Sequence, residues 1–216
     1  MPIEQLIEGY KRYRKTRYKE QYDLYHKLHH EGQQPPFLLV SCCDSRVDPA
    51  TILDTPPGQL FVVRNVANLV PPFTPDGGHH GTSAALEFGV TSLEVEHIVI
   101  MGHAQCGGAK ALLETDVIKP EPDDFILNWM NLAKEARARV ITAQGKTISE
   151  DLQREMEYEL VRFSLRNLMT FKWIKERVEA GKLSLHGWHF GIERGILHML
   201  NQNTGDFEPV EVDLEG

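Results

Sequence analysis

The chain has 216 residues, of which 41% are hydrophobic, and its 31 acidic and 23 basic side chains give a net charge of -8. This composition is typical of a globular protein with one sizeable core, and the negative charge disfavours nucleic acid as a partner. Because no apolar run approaches the roughly 18 residues of a membrane span and no secretory signal begins the chain, we expect a cytoplasmic protein without a membrane partner.

An N-terminal helical arm is predicted for residues 1–34. Apolar and aromatic side chains recur at the spacing of one helix face between residues 3 and 28, which indicates one or two amphipathic helices. Basic residues between positions 11 and 19 could serve in targeting or in binding an anionic surface. Because acidic residues are interspersed, we interpret them as a solvated helix face. Pro35 and Pro36 end the helical segment.

A single α/β domain is predicted for residues 35–216. Five apolar runs are predicted to be strands: Phe37–Ser41, Phe61–Val63, His97–Met101, Leu183–Phe190 and Gly195–Leu200. A helical pattern over Gly81–Val90 separates the second run from the third, which favours a mostly parallel central sheet flanked by helices. The pattern is helical again over Asp123–Gly181, and we predict no chemistry for that region.

Metal-ligating side chains follow two of the predicted strands. The chain has 3 cysteines, which do not make a disulfide framework and so leave metal binding, catalysis or burial. Cys42 follows the first strand, and His103 and Cys106 follow the third, so they meet at the carboxyl edge of a parallel sheet. Two thiolates and one imidazole suit zinc, and three protein ligands leave a fourth position for water. We therefore predict a catalytic zinc site, although each residue by itself is more often a packing residue.

Cys43 competes with Cys42 for the ligand role, and spacing alone does not exclude it. In an extended chain, residues two apart share a face, so Cys42, Asp44 and Arg46 are expected to point together. This alternation favours Cys42 as the ligand. It also places the charged pair of Asp44 and Arg46 beside the metal.

Two motifs resemble the signature of the beta-class carbonic anhydrases: Cys42-x-Asp44-x-Arg46 and His103-x-x-Cys106-Gly107-Gly108. Residues 61–68 and 81–88 are similar to further family segments, so the resemblance covers about residues 33–112. It implies one Zn²⁺ per subunit and reversible hydration of carbon dioxide to bicarbonate and a proton by metal-bound hydroxide. It also implies a homodimer, sometimes doubled to a homotetramer, in which the N-terminal helices pack on the partner subunit.

Asp44 and Arg46 are the predicted catalytic residues. Arg46 can hold Asp44 by a forked, charge-assisted pair, which leaves a carboxylate oxygen to orient the attacking hydroxide. In some family members the equivalent aspartate instead ligates zinc, a state associated with a tryptophan three residues before the first cysteine ligand. Leu39 stands at that position here, although Arg64 of the same inhibitory pocket is retained. We therefore expect an open site with Asp44 on Arg46.

The resemblance assigns five residues to the substrate pocket, some of them contributed by a neighbouring subunit: Gln33, Phe61, Val66, Phe88 and Gly107. Phe88 stands where tyrosine is frequent, so a hydroxyl contact is lost there. His79 and His80, on a glycine-rich loop, are either carriers of the product proton or two solvated histidines.

Two other functions stay open. One is hydrolysis of carbonyl sulfide or carbon disulfide on the same scaffold. The other is a non-catalytic zinc module in which Asp44 or Cys43 fills the fourth position, against which the pair of Asp44 and Arg46 argues.

Overall fold

A six-stranded sheet forms the centre of the computed structural model, which describes residues 2–114, 121, 123–145 and 147–213. The strands, in chain order, are β1 (Phe37–Cys42), β2 (Leu60–Asn65), β3 (His97–His103), β4 (Ser184–Gly191), β5 (Ile196–Leu200) and β6 (Phe207–Pro209). Their order across the sheet is β2-β1-β3-β4-β5-β6. The first four run parallel, whereas β5 and β6 are antiparallel additions at one edge. The predicted α/β class with a mostly parallel sheet is confirmed.

Ten helices accompany this sheet within the described ranges. They are α1 (Glu4–Lys15), α2 (Arg17–Glu20), α3 (Tyr22–Glu31), α4 (Pro49–Ile52), α5 (Gly81–Glu87), α6 (Gly107–Glu114), α7 (Phe125–Asn131), α8 (Lys134–Gln144), α9 (Glu150–Leu168) and α10 (Lys172–Glu179). A π-helical turn over Phe88–Ser92 continues α5. None of the helices that the structure describes is long and apolar enough to cross a membrane.

The N-terminal arm contains three helices rather than the one or two expected. Thr16 leaves the helical conformation with φ -117° and ψ -95°, and Gln21 interrupts the segment again. The hydroxyls of Tyr13 and Tyr25, 2.6 Å apart, join α1 to α3. Helix α1 buries no side chain against this chain, and Leu6 on its apolar face is 68% exposed. The apolar face that the pattern predicts therefore lacks a partner within the described part of the chain.

The neighbouring strands β1 and β3 pack apolar side chains on both of their faces. Leu38 and Val40 of β1 point into one hydrophobic cluster, with Ile98 and Ile100 of β3. Leu39 lies between them in sequence and packs on the opposite face. This two-sided burial explains why the strands are near-continuous apolar runs rather than alternating ones.

Helix α9 approaches the sheet closely because two glycines lie beneath it. A Cβ atom at Gly102 of β3 would lie 2.9 Å from Val161 Cγ2, and one at Gly187 of β4 would lie 2.9 Å from Leu165 Cδ1. Such spacings leave no room for a methyl group at either position. The close approach places the middle of α9 directly behind the carboxyl edge of the parallel strands.

Replacing Gly187 by alanine should lower the free energy of unfolding by about 1–3 kcal/mol, because the added methyl overlaps Val161, Leu165 and Leu200. Urea denaturation measures this change. Gly9→Ala is the matched control, since the nearest atom to a Cβ there is 3.8 Å away and alanine favours a helix. Equal midpoints for the Gly187→Ala variant and the unchanged protein would contradict the close packing of α9.

Candidate metal centre

The strand ends that carry Cys42 and His103 are adjacent in the sheet. Strands β1 and β3 pair in parallel with Ser41 opposite Met101, so the next residues along both strands reach the same edge. With Cys106, these two residues form a buried group whose candidate ligand atoms all lie within 4.8 Å of one another. No other group of three or more such residues occurs in the part of the chain that the structure describes.

A tight turn returns Cys106 to the sheet edge. Gln105 adopts a φ of 57°, in the left-handed region that side-chain-bearing residues rarely occupy. Helix α6 then begins at Gly107. At Gly108, a Cβ atom would lie 2.9 Å from the Cβ of Ala67, so the two backbone segments pack without space between them. Cys106 is thereby held in a fixed place.

The imidazole of His103 presents its free nitrogen to the cysteines. Nδ1 lies 2.9 Å from the carbonyl oxygen of Ala104 and donates its hydrogen there, because a carbonyl can only accept. Nε2 is buried and has no hydrogen-bond partner among the residues that the structure describes. A buried nitrogen with an unused lone pair, aimed at two sulfur atoms, fits a metal ligand whose tautomer is set by its other nitrogen.

The two sulfur atoms of the group share a proton when no cation is present. A hydrogen bond from Cys106 lowers the pKa of the Cys42 thiol to about 4, against the opposing effect of burial. The same hydrogen bond, together with burial, raises the pKa of Cys106 far above its usual value. A divalent cation would displace that proton and be neutralised by two thiolates. The donor set thus fits zinc.

Asp44 and Arg46 form the forked pair expected from the sequence. Arg46 donates from Nε to Oδ1 at 2.9 Å and from Nη2 to Oδ2 at 2.7 Å, and Nη2 also donates to the carbonyl oxygen of Gln105. The hydrogen bonds from Arg46 hold the pKa of Asp44 well below its usual range. Oδ2 of this carboxylate lies 3.9 Å from Nε2 of His103. An ionised oxygen therefore borders the space between the candidate ligands.

A turn, not strand alternation, brings Asp44 and Arg46 together, which corrects the reason given from the sequence. Strand β1 ends at Cys42, and the backbone N–H groups of Arg46 and Val47 donate to the Asp44 side chain and carbonyl oxygen, respectively. Cys43, by contrast, is exposed. The structure therefore places Cys42 in the group and Cys43 outside it.

Arg64 of β2 stabilises this turn through hydrogen bonds to its backbone. Its Nε donates to the carbonyl oxygen of Cys42 at 3.0 Å, and its Nη2 donates to those of Asp44 and Val47 at 2.7 and 3.0 Å. The guanidinium thus donates to three backbone carbonyl oxygens of the turn, one of which, that of Asp44, also accepts the N–H of Val47. The sequence analysis considered Arg64 only as an element of an inhibitory pocket.

Two of the five predicted substrate residues lie beside the metal group. Val66 follows Asn65, which is opposite Cys42 in the pairing of β1 and β2. Gly107 follows Cys106, and a Cβ atom at Gly108 would lie 3.1 Å from Val66 Cγ1. These residues form part of the wall next to the candidate ligands.

The other three lie elsewhere on the chain. Phe61 is opposite Leu38, four positions before Cys42 on β1 and therefore about 13 Å away along the strand. The ring of Phe88 is 5.9 Å from that of Phe61 and is 47% exposed. Gln33 is exposed in the segment before β1. One chain alone does not bring the five residues together.

His79 and His80 line a groove of about 690 Å³ whose wall includes Val66 and Asn65. Nε2 of His80 lies 2.6 Å from Oδ1 of Asp76. Both histidines are exposed, so they are reachable by solvent from the side of the groove. Their role as proton carriers stays a prediction.

A buried polar group in α9 is the main feature that the sequence analysis missed. Glu157 is 3% exposed, and its Oε1 accepts a hydrogen bond from the backbone N–H of Cys106 at 3.0 Å. Oε2 lies 3.0 Å from Nε2 of His189. Gln153, Glu157 and Val161 follow one another at intervals of four and so share a buried face of α9. Two polar residues on the same helix face as an apolar one were the feature of the sequence that could have indicated this buried group. The sequence analysis identified no chemistry over Asp123–Gly181, and the structure shows that Glu157 of this segment contacts the backbone of Cys106.

The family model described as carbonic anhydrase matches residues 37–197. A carbonic anhydrase of Synechocystis sp. is 36% identical over 193 residues, covering 89% of this chain and 69% of the relative. Beta carbonic anhydrase 3 of Arabidopsis thaliana is 36% identical over 198 residues, covering 91% of this chain and 76% of the relative. The chain belongs to the beta-carbonic anhydrase family.

Solved structures of beta-carbonic anhydrases have the same fold. That of CcaA superimposes with a TM-score of 0.89 at 34% identity, covering 96% of this chain and 99% of the other. The Coccomyxa beta-carbonic anhydrase gives 0.80 at 26% identity, with coverages of 92% and 86%. The similarity therefore includes almost the whole chain, well beyond the segment that carries the motifs.

Cys42→Ser should abolish stoichiometric metal binding, whereas Cys43→Ser should leave one metal ion per chain, because only Cys42 lies in the buried group. Elemental analysis of the purified proteins measures the metal content, and near-ultraviolet circular dichroism shows whether each variant is folded. The two variants are matched, since each removes one sulfur atom at adjacent positions. If only the Cys43→Ser variant lost its metal, Cys43 and not Cys42 would be the ligand, and the assignment of Cys42 would be wrong.

Proposed function

We propose that this chain catalyses the reversible hydration of carbon dioxide to bicarbonate and a proton, with one zinc ion held by Cys42, His103 and Cys106. The observation that carries the proposal is the convergence of two thiols and an unused imidazole nitrogen within 4.8 Å. The similarity to proteins named carbonic anhydrase supports the reaction.

The choice of zinc rests on the chemistry of the donor atoms. Thiolates and imidazole are the ligands that zinc prefers, and three protein donors leave a fourth tetrahedral position free. When bound in such a site, zinc acts as a Lewis acid that lowers the pKa of water to about 7. Carboxylate-rich sites, which suit magnesium or calcium, have a different composition.

Asp44 is the group that orients the attacking water. As an ionised carboxylate, Asp44 can only accept hydrogen bonds. It therefore binds a molecule such as water, which has an O–H to donate, in preference to one that has no donor. Its Oδ2 faces the ligand group at 3.9 Å from His103 Nε2. A hydrogen bond to this oxygen would fix the direction of the water's lone pair toward the substrate carbon.

Arg46 keeps Asp44 in that role. The two side-chain hydrogen bonds hold the carboxylate plane, and the third, to Gln105, ties the guanidinium to the loop that carries Cys106. The positive charge also compensates for the two thiolates, which would otherwise reduce the pull of the metal on its water. Arg46 therefore links the position of the carboxylate to the position of a ligand.

We propose that a second copy of the chain completes the substrate pocket. Val66 and Gly107 would come from one subunit, and Gln33, Phe61 and Phe88 from its partner. The exposure of Phe88 supports this arrangement, as do the unpaired outer edge of β2 and the uncovered apolar face of α1. The assembly would be a homodimer or homotetramer, and beta-carbonic anhydrases of Sordaria macrospora, 28% identical with a TM-score of 0.79, are described as tetrameric.

The same proposal divides the chain into an arm, residues 1–34, that packs on the partner and a catalytic domain, residues 35–216. The uncovered face of α1 supports this division. A cytoplasmic location stays a prediction from the sequence.

Zinc-loaded protein should accelerate carbon dioxide hydration, measured by stopped-flow with a pH indicator, and should contain one zinc ion per chain. Cys106→Ser should lose zinc and lower the rate more than about 100-fold, since removing a ligand costs more than removing a residue behind it. Cys43→Ser is the control and should retain both. Wild-type protein with zinc but no rate would overturn the proposal, and faster turnover of carbonyl sulfide or carbon disulfide would favour the alternative substrates.

Asp44 should remain on Arg46 and outside the ligand sphere of the metal near pH 7, because two short hydrogen bonds and the loop contact to Gln105 hold it there. A crystal structure of the zinc-loaded protein tests this directly. Arg46→Ala, which removes the competing partner, should let Asp44 move toward the metal and should slow hydration with zinc retained. Direct ligation by Asp44 in the wild-type protein would contradict the open site.

A further inference from the structure

A buried carboxylate lies behind the metal group, in a region that the proposed reaction does not use. Glu157 projects from α9, is 3% exposed, and accepts the backbone N–H of Cys106 at 3.0 Å. Removing a carboxylate from water is costly unless it is fully hydrogen-bonded. A carboxylate in the core therefore needs hydrogen-bond donors, and its cost in stability indicates that it has a role.

Three donors satisfy this carboxylate. Oε1 accepts from Cys106 and, at 3.2 Å, from Nε2 of Gln153 one turn earlier in α9. Oε2 accepts from Nε2 of His189 at 3.0 Å. His189 is itself 2% exposed, and the ring of Tyr158 packs on it edge-on at 4.8 Å. Gln153 and His189 thus fix the carboxylate on two sides while its remaining interaction is with the Cys106 backbone.

The fold places Glu157 between strand β4 and the loop that carries Cys106. His189 of β4 is opposite Gly102 in the parallel pairing with β3, one position before His103. The absence of a side chain at Gly102 lets α9 approach to the distance at which Glu157 reaches both β4 and the loop after β3. The carboxylate therefore bridges the strand beside His103 and the backbone of Cys106.

The thiol of Cys106 is oriented from the opposite side by the start of α6. The backbone N–H groups of Gly108 and Ala109 act to lower the pKa of this thiol, against the larger opposing effects of Cys42 and burial, and the N–H of Cys106 itself donates to Glu157. These contacts leave the residue little freedom to rotate. A shift of this backbone would move Sγ away from Cys42 and His103, since the ligand atoms need close tetrahedral placement.

We propose that Glu157 is a positioning residue of the metal centre. Its carboxylate fixes the backbone of Cys106 where Sγ meets the other two ligands, and Gln153 and His189 hold the carboxylate in that orientation. Groups one shell behind a ligand affect metal affinity through such placement. The inference rests on the proposed metal site, but it concerns the affinity of that site and not the reaction.

The test is the zinc dissociation constant of Glu157→Gln, measured by competition with a chromophoric chelator. The amide keeps the shape but turns one accepting oxygen into a donor, so either Cys106 or His189 loses its acceptor. We expect the dissociation constant to rise about 10- to 100-fold. The thiolate-to-metal absorption of the cobalt-substituted protein should also shift, a signature that lower stability alone would not change.

Glu159→Gln is the matched control on the same helix. Glu159 is 7% exposed and undergoes the same carboxylate-to-amide change, but its partners are Arg139, Arg162 and Arg166 rather than the metal loop. This variant should unfold more easily while its zinc dissociation constant stays within about 2-fold of the wild type. If both variants lost the same amount of zinc affinity, the effect of Glu157 would be one of overall stability, and the proposal would be overturned.

Gln153→Met keeps the test decisive if Glu157→Gln does not fold. It removes one donor to the carboxylate without changing the charge, and we expect about a 3-fold rise in the zinc dissociation constant. Wild-type affinity and an unchanged cobalt spectrum in the folded variants would overturn the positioning role. Zinc-loaded wild-type protein without carbon dioxide hydration would instead refute the proposed activity, so the two failures are distinguishable.

Discussion

The parallel pairing of β1 with β3 is the constraint on which the site depends. Cys42 and His103 are distant in sequence, and they meet because both strands end at the same edge with Ser41 opposite Met101. A shift of one residue in this register would turn every side chain of one strand to the other face. Because both faces of these strands are buried, the fit between particular side chains opposes such a shift, so packing in the core determines the distance between two candidate ligands.

Around that edge, polar and charged side chains are held by short hydrogen bonds. Asp44 has Arg46, Glu157 has His189, and Arg64 satisfies the carbonyl oxygens of the loop after β1. Arg64 and Glu157 each join segments that are separate in sequence, whereas Asp44 and Arg46 lie within one turn. The site is thus held by polar contacts that would be costly to break within a poorly solvated region. This rigidity suits a centre whose ligands must keep their geometry with one position open to solvent.

The sequence predicted those features that depend on local pattern. Apolar runs gave the five longer strands, and ligand chemistry after strand ends gave the candidate group. Features that depend on tertiary contacts were not predicted: the short strand β6, the turn that pairs Asp44 with Arg46, and the contact of Glu157 with Cys106. The sequence pattern of a helix does not distinguish a buried glutamate from an exposed one. The burial of Glu157 depends on the close approach of α9 to Gly102, which is a tertiary contact.

The shared proton of Cys42 and Cys106 has a consequence for how the protein acquires its metal. The hydrogen bond between the two sulfur atoms lowers the pKa of Cys42 and raises that of Cys106, which favours one proton on the pair. Loading a divalent cation is then an exchange in which one proton leaves for each ion that enters. Acidic conditions therefore oppose metal binding, and the hydrogen bond that a metal ion would replace keeps the two sulfur atoms close together.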